Sequence, residues 1–321
     1  MSGAVSIESD AKALVALNAW QRTMRCNWAL VSQLSDEPML VHVECASDRE
    51  KGPVAGRLMF FPGFAAYRDF AILKQAPDMG FALTNLDIRH YELIALKDGG
   101  YELHAFKPGF VPRPADEATR ALLAPLVHEC LGLMMRFEEE TELVAKYKDE
   151  NALFARFEGL DGKWKDGPLP VPQKEVRNEE RITLGKSECA AAAHLPFSNN
   201  EAWEVDFYSV PACHTNESEP RILYLFAAVD AATGLVRCWE RLSVDPKGEG
   251  GLKPLWESLA QRLLKAILAN GRIPGAVGIR SGRMARFLRP LGLQIPFRLV
   301  HHRQLPALDA ALRRAVQGKK V

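Results

Sequence analysis

The amino-acid sequence predicts an α/β protein of two domains, and three observations carry that reading. Its 321 residues exceed what one typical hydrophobic core uses. The second half reads as three strands followed by alternating helices and strands, the pattern of a mixed α/β domain. Between the halves, residues 159–180 lose apolar periodicity and set Gly162, Gly167, Pro168, Pro170 and Pro172 among charges. The expected organisation is therefore an N-terminal α+β domain over 1–158, a linker over 159–180 and a C-terminal domain over 181–321.

In the first domain, Ser6–Arg25 reads as a helix, because Ala13, Leu14, Leu17 and Trp20 recur at helical spacing. Ser9 or Asp10 supplies a cap. Strand-like runs follow at Trp28–Leu34, Leu40–Cys45 and Arg57–Phe61, punctuated by Gly52-Pro53 and Pro62-Gly63. Tyr91–Leu96 and Tyr101–Phe106 flank Lys97-Asp98-Gly99-Gly100, which predicts a hairpin. Asp116-Glu117 opens a long helix with the stripe Leu122, Leu126, Cys130, Leu133, Met134 and Phe137; Pro125 either kinks it or marks its first turn.

In the second domain, strands are expected at Trp203–Val210, Arg221–Val229 and Leu235–Leu242, the last two joined by a turn at Asp230–Gly234. Pro254–Asn270 is an amphipathic helix with Leu255, Leu259, Leu263 and Ile267 in register, and Gly271 stands at its C′ position. A strand at Ala276–Arg280, a helix at Met284–Pro290, a strand at Ile295–Val300 and a helix at Pro306–Val316 complete the order βββαβαβα.

Composition narrows the class. With 47% hydrophobic and 25% charged residues, a disordered or fibrous chain is excluded. The longest apolar runs, such as Ile222–Val229, fall far short of the roughly 20 residues that span a bilayer, so no membrane partner is expected. Met1–Asp10 lacks a basic start followed by an apolar run. The six cysteines are scattered without a CxxC pair, which suits reduced thiols and a cytoplasmic setting. The net charge of +1 hides an asymmetry: Gly271–Val321 holds eleven Lys/Arg against Asp309 alone, a net of +10, leaving −9 for the rest. Such a split points to a polyanion, nucleic acid or an acidic protein surface, or to an electrostatic match between the two domains.

No Walker A, GxGxxG, GxSxG or HExxH pattern is present, which removes support for nucleotide-dependent, α/β-hydrolase and zinc-protease chemistry. Ser281-Gly282-Arg283 precedes a helix and offers backbone N–H groups to an anion. With Arg280, Arg286, Arg289 and Arg303 it forms the candidate polyanion-binding set, Arg283, Arg286 and Arg289 being spaced by three. The bland alternative is a solvated basic face. Cys189, His194, Cys213 and His214 have ligand chemistry, but their spacing fits no usual zinc site, and no metal site is assigned. His301 and His302 are adjacent on a strand and point to opposite faces. Phe60, Phe61, Phe64, Tyr67 and Phe70 form an aromatic cluster that reads as core filling rather than a base-stacking platform.

The second-domain order resembles the ribonuclease H-like fold in its retroviral-integrase and transposase version. The residues that carry this resemblance are Trp203-Glu204-Val205-Asp206 on the first strand and Tyr224–Gly234 on the second, with the helix and strand after them in the expected order. Over its whole length the chain is similar to an uncharacterised bacterial two-domain family, a domain of unknown function; Phe106-Lys107-Pro108-Gly109-Phe110-Val111-Pro112 running into Glu117-Ala118 is the nearest N-terminal signature. The integrase resemblance implies three carboxylates around two Mg²⁺ ions. Asp206 matches the first, the place of the second reads Ile279-Arg280-Ser281-Gly282 with arginine in place of the aspartate, and Asp309 is the acid available for the third. A cation there repels a metal.

Three functions follow from these readings. The favoured one is a non-enzymatic binding module without cofactor, contacting nucleic acid or another polyanion through its basic C-terminal face. The second is a metal-dependent nuclease or phosphoryl-transfer enzyme using Asp206, Asp309 and Mg²⁺. The third is a protein-interaction or structural protein.

Overall fold

The computed structural model describes residues 7–17, 20–23, 26–32, 37–45, 53–75, 88–147, 153–170, 182–214, 219–245 and 251–316. They form a mixed α/β structure with two compact units. The first unit holds residues 7–71, 88–107 and 112–170 of these; the second holds 72–75, 108–111 and 182–316.

The first unit begins with α1 (Ile7–Ala16) and α2 (Trp20–Thr23), two short helices where the sequence suggests one. Strands β1 (Asn27–Val31), β2 (Met39–Cys45) and β3 (Val54–Pro62) follow, then α3 (Gly63–Gln75). The hairpin β4 (His90–Leu96) and β5 (Tyr101–Phe106) turns at Gly99, whose φ of 86° suits glycine, and the Leu96 N–H donates to the Gly100 carbonyl. After β6 (Arg113–Pro114) come α4 (Glu117–Glu139), α5 (Thr141–Tyr147), β7 (Leu153–Glu158) and β8 (Trp164–Leu169).

These strands form one sheet in the order β6-β5-β4-β3-β2-β1-β7-β8, antiparallel throughout except for the parallel pair β1–β7. Helix α4 starts where expected, with the Asp116 carboxylate accepting the Thr119 N–H. Pro125 lies well inside this helix rather than in its first turn. The α4 stripe packs on the sheet around Trp28, which meets Phe137 and Tyr147 edge to face. The aromatic cluster divides by strand alternation: Phe60 enters this core, whereas Phe61 packs against Phe70 and His90.

One expectation needs correcting. Trp164–Leu169, inside the stretch read as a linker, is edge strand β8, paired in full register with β7. Its Gly167 and Pro168 are tolerated because a sheet edge has fewer backbone bonds to satisfy. Residues 171–181, the rest of that stretch and its border, lie outside the described residues.

The second unit runs α6 (Lys186–Ala193), β9 (Phe197–His214), β10 (Arg221–Asp230), β11 (Val236–Leu242), α7 (Lys253–Asn270), β12 (Ile273–Ile279), α8 (Gly282–Gly292), β13 (Arg298–His301) and α9 (Pro306–Val316). After α6 this is the expected βββαβαβα order. The sheet order is β11-β10-β9-β12-β13, with β9, β10 and β11 antiparallel and β12 and β13 parallel to β9. Alternation along the central strand β9 divides its side chains. Trp203, Val205 and Phe207 enter the core with α7 and α8, while Tyr208 packs with Leu305, Leu308 and Ala311 around α9 on the other face.

Parallel pairing of β12 with β9 requires close backbone approach at Gly275. A Cβ there would meet the Asn199 and Ser198 carbonyl oxygens at 2.8 and 2.9 Å. Backbone atoms within a sheet cannot swing aside. Gly275→Ala is therefore expected to destabilise the protein by about 1–3 kcal/mol, measured as a lower denaturation midpoint.

Candidate functional site

The acidic face follows directly from strand alternation: Glu204, Asp206 and Tyr208 share one face of β9. Asp206 is 1% exposed, and its carboxylate accepts the Phe207 N–H and the Arg280 Nε–H, each at 2.9 Å. Arg280 leaves the C-terminal end of β12, the strand next to β9, which brings the guanidinium to Asp206. The far end of the same guanidinium forks onto Asp309 in the first turn of α9, at 2.9 and 3.4 Å. One arginine therefore joins the two candidate metal-binding carboxylates, and the fork geometry is the one that favours arginine over lysine.

Glu204, one pleat away, is buried and accepts the Leu308 N–H at 2.8 Å. Its carboxylate thus satisfies a backbone donor in the first turn of α9. Two clasps, Glu204 on the backbone and Arg280 on Asp309, hold the start of this helix over the acidic face. Sequence reading passed over Glu204 as a functional group, although its position two residues before Asp206 on a strand was the available signal.

Electrostatics follow burial. Desolvation pushes the Asp206 carboxyl up, while the Arg280 charge and the Phe207 N–H pull it back. Burial opposes the Arg280 charge, but Asp206 and Asp309 outweigh it and hold the guanidinium ionised. Burial also raises Glu204, against the helix N–H groups of Leu308 and Ala307. The Tyr208 phenol is raised by desolvation and then by Asp206.

The structure separates the proposed polyanion-binding residues. Arg280 is 8% exposed and committed to two carboxylates, so it does not belong to a surface. Ser281 is fully buried and caps α8 by accepting the Met284 N–H. Arg283 is half-buried, its guanidinium 4.3 Å from the centre of the Trp256 ring. Arg286, Arg289 and Arg303 are exposed, as are Arg298 on β13 and Arg313 and Arg314 near the end of α9. These basic side chains thus lie on α8, β13, α9 and the loop after β13 rather than on one helical face. Among the described residues, no group of three or more His, Cys, Asp or Glu is placed to hold a metal ion. Cys189 is buried in α6 and His194 is exposed at its end; the side chains of Cys213 and His214 lie outside the described ones.

Removing one partner of a buried ion pair strands the other. Arg280→Ala is expected to cost about 3–5 kcal/mol, and Asp206→Ala combined with it to cost less than the sum of the single changes, in a denaturant double-mutant cycle. Glu204 gives a pH signature. Because its folded pKa is raised, the folded state binds the proton more tightly, and its contribution to stability falls as pH rises from the ordinary glutamate range through the folded value. Glu204→Gln removes this dependence, so unfolding measured across that window should show a shallower decline for the variant than for the parent.

Comparison with known proteins adds one match: residues 189–314 fit the family model of a domain of unknown function, DUF6930. No curated protein matches the chain. The matched span lies within the second unit and contains Glu204, Asp206, Arg280 and Asp309.

Proposed function

We propose that the second unit is a ribonuclease H-like module whose acidic face serves as a structural clasp, and that the protein is a non-enzymatic binder of nucleic acid through its exposed C-terminal arginines. The strand order β11-β10-β9-β12-β13, with three antiparallel strands followed by two parallel ones, supports the fold reading. The observation that carries the functional reading is the Arg280 guanidinium standing between Asp206 and Asp309. Paired magnesium ions need the carboxylate oxygens that this arginine occupies, and its charge opposes theirs. What remains for recognition is the basic surface of Arg286, Arg289, Arg298 and Arg303, which suits phosphate contacts without base readout.

Titration of a labelled DNA duplex at low salt tests this. Binding is expected to weaken steeply between about 50 and 200 mM salt, with no strand cleavage in Mg²⁺ or Mn²⁺. Arg286→Glu with Arg289→Glu should lower affinity at least about tenfold and flatten the log–log salt slope by roughly 1–2. Cleavage that depends on Asp206 would overturn the proposal in favour of the metal-dependent reading. Absence of binding to both DNA and RNA at low salt would overturn it in favour of a protein partner.

A further inference from the structure

The segment 106–112 stands out in the sequence and takes no part in the charged site. Its central residues Pro108–Val111 lie between β5 and β6 in the chain, yet they belong to the second unit. The chain leaves the first unit after Lys107 and returns to it at Pro112.

These four residues are held against the start of β10 by two backbone hydrogen bonds and one isolated bridge. The Ile222 N–H donates to the Gly109 carbonyl, and the Val111 N–H donates to the Pro220 carbonyl, both at 2.9 Å. Phe110 and Arg221 form the antiparallel bridge between them. Phe110 is 5% exposed and joins the core that contains Ile222, Tyr224, Val244 and Leu252. Gly109 has φ +84°, and a Cβ on it would come 2.4 Å from Val244 Cγ1. Arg221 fixes that wall of the site by donating to the Val244 carbonyl at 2.7 Å and to Ser243 Oγ at 3.2 Å. Pro108 lies beside Gly251.

We propose that the second unit contains a peptide slot whose occupant is the chain's own Pro108–Val111. Backbone bonds to the start of β10 provide the strand register, and the buried Phe110 ring provides the anchor. The wall at Val244 selects glycine before the aromatic residue, so the slot recognises a Gly-aromatic-aliphatic segment that turns at its glycine. The second unit's fold is then completed by residues that come from between β5 and β6 in the chain, and this holds whatever the basic surface binds.

The test uses the full-length chain with Phe110→Ala. Amide exchange at Ile222 should accelerate by about tenfold or more, while amides of β4 keep their protection. A synthetic peptide of residues 106–112 should bind this variant and restore Ile222 protection, but should not bind the parent chain, whose slot is filled. Gly109→Val, which expels the segment without removing the ring, should also capture the peptide and serves as the second variant if Phe110→Ala does not fold. Unchanged Ile222 protection in both variants would overturn the proposal. So would a peptide with alanine in place of Phe110 that binds as tightly as the native one.

Discussion

The second unit depends on how it accommodates a buried negative charge. Asp206 sits on the central strand of the sheet, with solvent excluded. An isolated carboxylate there would be costly, and the chain offsets that cost with a guanidinium from the neighbouring strand end. The same guanidinium has capacity left, and Asp309 takes it. Strand β9, the end of β12 and the start of α9 are thereby tied at one point. Replacing such a group with apolar residues can leave stability unchanged or raise it, so its worth lies in specifying where α9 docks rather than in net energy.

Specification is reinforced by Glu204. Its carboxylate accepts from the backbone of α9, so the helix is positioned by a main-chain contact as well as by a side-chain fork. The two clasps differ in kind. One depends on the identity of residue 309, the other only on a helix beginning there. Below them, Leu305, Leu308 and Ala311 pack on Tyr208, Leu225 and Ala227, so the polar contacts border a dry layer. Asp206 and Asp309 accept from Arg280 and Glu204 accepts from the backbone of α9, so these three carboxylates tie the helix to this face of the sheet.

Much of this architecture was legible in the sequence. The βββαβαβα order, the hairpin around Gly99 and the α4 start at Asp116 rest on local signals: turn glycines, a cap and apolar period. The proximity of Arg280 to Asp206 was accessible only through the expected strand order, since the residues are 74 apart in sequence. Three features were not legible. Strand β8 hides in Gly- and Pro-containing text because an edge strand is stabilised by its partner rather than by its own propensity. Ser281 looked like an anion contact because an exposed phosphate nest and a buried helix cap share one local pattern. The role of Pro108–Val111 depends on pairing with Pro220–Ile222, more than a hundred residues away, which no local window contains.

The strand order has a geometric consequence for the tail arginines. Helix α8 covers one side of the sheet and α9 the other, and β13 is the rim between them. Arg286 and Arg289 on α8 and Arg298 on β13 belong to that rim, whereas Arg314 at the end of α9 lies toward the other side of the sheet, where its guanidinium donates to the Gly234 carbonyl in the turn between β10 and β11. From β10 to β13 is three strand spacings, roughly 14 Å, which exceeds a Debye length at physiological salt, so the two groups of cations act as separate patches of charge.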